Sequence, residues 1–416
     1  MTGATGTRLS LAVWALTRAV LLLCVLKVFT VPGPDVTSDV SAIYRGWYEV
    51  LRSGTYPVDD VTWQYPPVAA LAVLSPALLP FLDYPSAFYV LVLLCDALVL
   101  GLLLHARRLP GRSGAGAWVW VAGVPLLGPT AYARYDLMVT AVAVAALLAG
   151  VRRPRLLGAL AAFGALLKVW PVLLLVGTAR GRASRSAWTA AATTAAVLAT
   201  LCAAALPGAF AFLSFQRDRG TEIESLGALV FHVARQFGWQ GGVELRYGSM
   251  EFTGPYVPLV STLAMGLSVL ALGWLLVWRL RARTFTVRTP ADAAFTAVLL
   301  FTTTSRVISP QYMLWLVGLA AVCLGFRGGR MVLPAGLVLV ATGVTLLEFP
   351  LGFAHVAASD AEGVWLLVVR NGLLVAASLT AGRRLWRETV PARSGSGPGA
   401  ESAEGPENRQ PSRAAR

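Results

Sequence analysis

The chain has 416 residues, of which 56% are hydrophobic and only 13% charged, with a mean hydropathy of +0.65. A soluble domain carries about twice that charged fraction, so composition excludes one and leaves a polytopic, all-α membrane protein. The net charge of 35 − 21 = +14 sits in short Arg-rich loops, which points to the positive-inside rule and away from a nucleic-acid partner.

In chain order, apolar runs recur that are each long enough to cross roughly 30 Å of hydrocarbon. Residues 9–31 predict an uncleaved first span. Placing every Arg-rich loop on the cytoplasmic side then predicts further spans at 84–106, 117–131, 134–150, 187–206, 256–279, 290–304, 309–326, 331–348 and 361–382. Two stretches break this alternation. Residues 67–82 are short and carry Pro76 and Pro80, and they predict a bent, re-entrant or interfacial helix. Residues 156–179 run between two basic loops and must enter and leave on one side, with the bend at Lys168-Val169-Trp170-Pro171. Residues 1–390 thus read as one integral-membrane unit with both termini cytoplasmic. The tail from Pro391 to Arg416, rich in Ser, Gly, Pro, Glu and Arg, reads as disordered.

Polar pieces that escape the Arg loops gather on the opposite, outer face. The first is the loop 32–66, with five carboxylates: Asp35, Asp39, Glu49, Asp59 and Asp60. Within it Ser38 is placed to cap a surface amphipathic helix over 40–53, with Val40, Ile43, Trp47, Val50 and Leu51 at helical spacing. The second is the turn 131–136. The third is the loop 207–255, with a short amphipathic helix over 225–237. The turn 304–312 joins them.

Asp39 leads the candidates for chemistry. A carboxylate on a helix held at the membrane surface is placed to act as a general base on a substrate whose lipid tail lies in the bilayer. The plainer alternative is an N-cap or a solvated loop carboxylate. Asp59 and Asp60 read as an ordinary turn pair. Arg134 and Asp136 are near enough to pair with each other at a helix start. Lys168 lies deep in an apolar stretch, where a charge is costly and often functional, although it can also snorkel or find a structural partner. Arg306 sits on the outer side, where the positive-inside bias does not account for it, and an interfacial arginine is well made to clamp a phosphate. The run 217–225, with Arg219 and Glu224, suits phosphate or sugar hydroxyls, or is a plain solvated loop. Arg18, Lys27, Asp96, Asp292, Glu348 and Arg370 interrupt apolar segments and read mostly as structural pairs between helices. Cys24, Cys95, Cys202 and Cys323 all lie in apolar segments without a Cys-x-x-Cys pair, the three histidines are scattered, and no nucleotide-binding motif occurs. No metal or cofactor is called for.

The series Asp39…Tyr44, Gly54-Thr55-Tyr56-Pro57, Tyr65-Pro66-Pro67, Arg134-Tyr135-Asp136, Lys168-Val169-Trp170-Pro171, Glu222-Ile223-Glu224-Ser225 and Ser309-Pro310-Gln311-Tyr312 resembles glycosyltransferase family 87 of the GT-C superfamily. The likeness covers about residues 10–380. It implies a GT-C-like bundle of about 10–12 transmembrane helices. It also implies a polyprenyl-phosphate sugar donor, usually a mannosyl one, a lipid or glycan acceptor in the cell envelope, and catalysis on the outer face of a bacterial plasma membrane without nucleotide sugar or metal. The family's acidic residue in the first outer loop falls on Asp39. On this reading Asp39 is the base and Arg306, Lys168 and Arg219 bind the donor phosphate. Tyr44, Tyr65, Arg134, Asp136, Glu224 and Gln311 are substrate-binding candidates, and Tyr65, Trp47 and Trp170 are placed to stack on sugar rings or border the lipid groove. The rival reading is a carrier or flippase for a lipid-linked precursor. It is weakened by the lack of an inverted repeat or of matching broken helices in two halves.

Overall fold

A computed structural model describes residues 3–391; the expected disordered tail, apart from Pro391, lies outside them. The long helices are α1 (Gly3–Val25), α4 (Tyr84–Ala106), α8 (Arg182–Ala205), α11 (Val257–Arg281) and α16 (Ala361–Thr389). Between α1 and α4 come α2 (Arg45–Arg52) and α3 (Ala69–Leu74). Between α4 and α8 come α5 (Ala115–Leu126), α6 (Asp136–Gly150) and α7 (Pro154–Leu167). The segment before α11 holds α9 (Phe212–Asp218), β1 (Thr221–Glu222), α10 (Leu229–Gln236), β2 (Gly242–Arg246) and β3 (Ser249–Thr253). After α11 follow α12 (Thr289–Thr304), α13 (Tyr312–Leu324), α14 (Val332–Leu346) and α15 (Phe353–Ala358).

Six helices, counting α14 with its continuation to Leu351, are long and apolar enough to cross a membrane, and five further apolar helices are only 10–17 residues long. The protein is therefore a helical multi-pass membrane protein. At 1.5 Å per residue a helix of 12–15 residues covers only about 18–23 Å. Among the short helices, α7 gives way to an extended Lys168 and α13 begins just after Pro310 and Gln311, residues that the cavity described below uses. One apolar core cluster runs from Leu21 to Leu385. Small residues let helices approach: a Cβ on Gly158 would lie 2.0 Å from the Ala187 carbonyl oxygen of α8, and one on Gly116 would lie 2.2 Å from that of Ala321 on α13.

Helix directions separate two ends. At one end the basic loops bind each other. Arg180 donates to the carbonyls of Arg279 and Leu280, Arg288 to that of Gly328, and Arg384 to that of Arg330. At the other end lie the acidic loop 32–66, the tip of the α7 excursion and the small sheet. Residues 154–180 do turn back: α7 ends at Leu167, Lys168 is extended, and a 3-10 turn, Trp170–Leu175, leads away. Residues 67–82 form α3 and a 3-10 turn, Ser75–Leu78, with Leu78 and Phe81 exposed.

Three expectations need correction. The surface helix over 40–53 is a π-helical turn, Asp39–Tyr44, followed by α2, and Val40, Tyr44, Trp47 and Leu51 bury one face of it. Ser38 does not cap it; the hydroxyl donates to the Asp35 carbonyl at 2.8 Å, while the Asp35 carboxylate accepts from the Thr37 amide at 2.9 Å. The loop 207–255 holds more than the short helix expected in it. It folds into an antiparallel sheet of order β1-β3-β2 over a small core of Ile223, Phe231, Phe252, Val257 and Leu367, and the helix expected over 225–237 is the shorter α10. That sheet escaped the apolar-run pattern because its strands are only 2–5 residues long.

Candidate functional site: a charged cavity at one end of the bundle

All the polar pieces that escaped the Arg loops meet at one cavity of ≈ 540 Å³. Asp39, Arg134, Lys168, Arg219, Glu224 and Arg306 all line it, as do Tyr44, Tyr65, Gln311 and Tyr312. The proton acceptor and the cations of the sequence reading thus share one space. Asp136 sits just behind its wall.

Asp39 opens the π-helical turn, so its carboxylate projects toward the turn 131–135 and not along the surface. Its side chain is 31% exposed and contacts Arg134 Nη2 at 3.0 Å. Arg134 is held by two carbonyls, Val36 at 2.9 Å and Ala133 at 2.8 Å. The Arg134–Asp136 pair expected from adjacency does not form; each pairs with a distant partner. Asp136 Oδ1 takes Lys168 Nζ at 2.7 Å and the Trp315 indole N–H at 2.7 Å. Four rings enclose the Lys168 ammonium, with centroids at 5.1 Å (Tyr135), 5.2 Å (Tyr65), 5.3 Å (Trp315) and 5.6 Å (Tyr312). Ring faces so placed replace part of the hydration that a cation loses on burial.

On the opposite wall, Arg219 pairs with Glu251 of β3 at 3.2 Å and also bonds Ser249. The Arg306 guanidinium bonds Ser261 at 3.2 Å and the carbonyls of Gln216 and Arg217. It is therefore braced by the outer loop. Glu222 fixes this turn. Its carboxylate accepts from the Ile308 amide at 2.5 Å and the Ser309 hydroxyl at 3.1 Å, and its own amide donates to the Arg306 carbonyl at 3.0 Å. Burial pushes the Glu222 carboxyl up to about 6, against the opposing pull of Arg219 and these bonds. Glu224 is buried as well. Burial first, and then the neighbouring Glu348 and Glu222, push its carboxyl well above the usual carboxylate range.

The remaining acidic residues of the first loop do other work. Asp60 accepts from the Trp47 indole at 2.7 Å and from Thr62. Burial would raise its carboxyl, but those bonds outweigh it and hold it low. Asp35 pairs with Lys27 at 2.8 Å, and Asp59 and Glu49 are exposed. Trp47 and Trp170 were expected to stack on sugar rings or border the lipid groove, and both line the cavity. Their rings are engaged within the protein: Trp47 is stacked on Tyr44 at 5.5 Å and edged by Trp63 at 4.8 Å, and Trp170 is stacked on Trp315 at 5.3 Å.

Several cavity residues carry buried polar atoms without a protein partner: the Tyr44 hydroxyl, Gln64 Oε1, the Trp170 indole N–H and Glu224 Oε1; Asp136 Oδ2 is left open behind the wall. Such atoms are rare, because each costs about 1–3 kcal/mol when left unmade. Four of them line this cavity, where they are available to a polar ligand. Gln64 and the indole N–H of Trp170 were not singled out from sequence as hydrogen-bonding groups. Glu251, which holds Arg219, was missed because its partner is distant in the chain, and Glu222 entered only as part of the run 217–225.

A family model, glycosyltransferase family 87, matches residues 63–310. That stretch is more than half of the chain and contains Arg134, Asp136, Lys168, Arg219, Glu224 and Arg306. The protein belongs to glycosyltransferase family 87. No curated protein and no solved structure matches it. As a family 87 member it is a membrane glycosyltransferase. Asp39 and Gln311 lie outside the matched stretch, and it is the fold that carries both onto the same cavity as the matched residues.

Proposed function

We propose that this glycosyltransferase moves a hexose, mannose by the family resemblance, from a polyprenyl-phosphate donor to a lipid or glycan acceptor of the cell envelope, with inversion. The observation that supports this best is the shared cavity, with the Asp39 carboxylate on one wall and Arg306, Lys168 and Arg219 on the others. In the proposed step an acceptor hydroxyl lies against Asp39. Its oxygen forms a bond to the anomeric carbon as the bond from that carbon to the phosphate oxygen breaks. Asp39 takes the hydroxyl proton, and the electron pair leaves on the polyprenyl phosphate. That leaving group is already anionic, so it needs positive potential and no general acid. The three cations supply it, and because they are fixed before reaction they need no reorganisation. A single displacement inverts the anomeric centre.

Arg134 holds Asp39 in place. The open atoms of Tyr44 and Glu224, with Tyr65, Asp136 and Gln311, would position sugar hydroxyls. Leu213 and Leu245, both strongly exposed, together with Phe301, Phe349 and Phe353, give the cavity an apolar rim suited to a lipid-borne substrate. The gathering of basic loops at the far end supports a bacterial plasma membrane protein whose cavity faces outward and whose termini face the cytoplasm.

The test is transfer of labelled sugar from a polyprenyl-phosphate hexose by the purified full chain. Asp39→Asn should abolish transfer while the protein still binds donor. Transfer at the wild-type rate by that variant removes Asp39 from the base role.

A further inference from the structure

At the end of the bundle remote from the cavity, a second hollow of ≈ 500 Å³ lies between the first turns of α1 and the last turn of α4. Thr7 and Leu11, four apart, form the α1 side. Gly101, Leu104, His105 and Arg108 fall at helical spacing on one face of α4, and Arg107 joins them at the lip. The hollow is amphipathic along its length. Its lip is basic, and no carboxylate lines it. Its floor is apolar and open: a Cβ on Gly101 would meet nothing within 4 Å. The same stripe of α4 continues along the helix as Leu98 and Leu94, 53% and 56% exposed.

Arg180, Arg288 and Arg384 spend their guanidinium groups on backbone carbonyls, and Arg112 stacks on Phe326 at 3.6 Å. Among the described residues, the side chains of Arg108 and His105 make no hydrogen bond or ion pair, and both are exposed. An exposed Arg108 beside His105, in a hollow that no carboxylate lines, at the mouth of an apolar trough and the end of a membrane helix, matches one ligand chemistry: a phosphate headgroup with an acyl chain. Basic pockets between transmembrane helices hold anionic lipid headgroups for this reason.

We infer that the α1–α4 hollow is a binding site for one anionic phospholipid, its headgroup against Arg107, Arg108 and His105 and an acyl chain along Gly101, Leu98 and Leu94. On the proposed orientation this is a lipid of the inner leaflet. The charge of the lip selects the headgroup, and the missing side chain at 101 admits the chain.

The experiment is native mass spectrometry of the full chain in mild detergent, titrated with phosphatidylglycerol or with phosphatidylcholine of the same acyl chains. Wild type is expected to retain one phosphatidylglycerol in preference to phosphatidylcholine. Arg108→Gln should weaken that retention about fivefold, the effect of one interfacial arginine. Gly101→Phe should remove the retained lipid by filling the floor while leaving the basic lip intact. Circular dichroism identical to wild type establishes that each variant is folded. Equal retention of the two lipids by wild type, or unchanged phosphatidylglycerol retention in either variant, overturns the proposal. The assay reads no sugar transfer, so its failure is distinct from failure of the proposed reaction.

Discussion

Two buried charge networks sit in the same helical bundle and are built on opposite principles. In the first, Arg18 of α1 meets Asp96 of α4 at 2.8 Å. Asp96 also accepts from the indoles of Trp14 (2.9 Å) and Trp120 (2.7 Å) and from the Tyr132 hydroxyl (2.8 Å). The rest of the Arg18 guanidinium goes to Thr17 and to the carbonyls of Trp120 and Val121. No polar atom of Arg18 or Asp96 is left open, and neither residue lines the cavity. In the second, the cavity set of Asp39–Arg134, Lys168–Asp136 and Arg219–Glu251 is paired but not saturated, and open atoms cluster around it. A satisfied buried pair fixes helix register. An under-satisfied one carries a standing desolvation cost that a ligand can relieve. Every polar atom of the Arg18–Asp96 pair is met, whereas the cavity set leaves Asp136 Oδ2 open.

The comparison can be broken at either network. The largest effect is expected for Asp39→Asn: turnover should fall by about 10²–10⁴-fold, the usual worth of a general base. Thermal stability in detergent should change little, because the residue is partly exposed. Asp96→Asn should do the reverse. It strands the Arg18 charge in the bundle and should lower stability by about 3–5 kcal/mol, with turnover per folded molecule retained. If Asp96→Asn instead kills transfer in a protein of unchanged melting temperature, the division between the networks is wrong.

A third effect concerns pH. The Glu222 carboxyl lies at about 6 against an ordinary 4.5. Its folded-state value is raised, so its contribution to stability is fully present below about pH 4.5 and is lost as pH rises through about 6. The arithmetic is 1.5 units, or about 2 kcal/mol. Between pH 7.5 and 4.5 wild type should therefore gain about that much more stability than Glu222→Gln, measured by thermal melts of both proteins. Parallel pH dependences would mean the site is wetter than the geometry implies. The smallest effect is expected for Tyr44→Phe. Its hydroxyl has no protein partner, so removal should cost no stability, while catalytic efficiency should fall about fivefold if that hydroxyl bonds substrate.

The sequence made the class of the protein legible, because apolar runs and Arg-rich loops report directly on a bilayer and its two sides. The bend at Lys168 was legible too, since Pro171 and a lysine in an apolar run both argue against a straight span. The candidate site was half legible. Asp39, Lys168 and Arg306 stood out as charges in the wrong place for a lipid-facing helix. Their partners did not. Arg134 stands beside Asp136 in the chain yet binds Asp39, and Asp136 binds a lysine 32 residues away. Trp47 and Trp170 read as sugar platforms because an aromatic residue at a membrane face suits that role, and only packing reveals that neighbouring rings occupy their faces.

Composition and periodicity by themselves determined that this chain enters a membrane, roughly where its apolar helices lie, and that its basic loops share one end. Those properties are sums over local residues, and transfer from water to hydrocarbon depends on each residue in turn. Tertiary structure alone decided which charges are saturated and which are left open around one cavity. Hydrogen bonds between residues tens to hundreds of positions apart depend on how helices pack, and no local pattern in the chain encodes that.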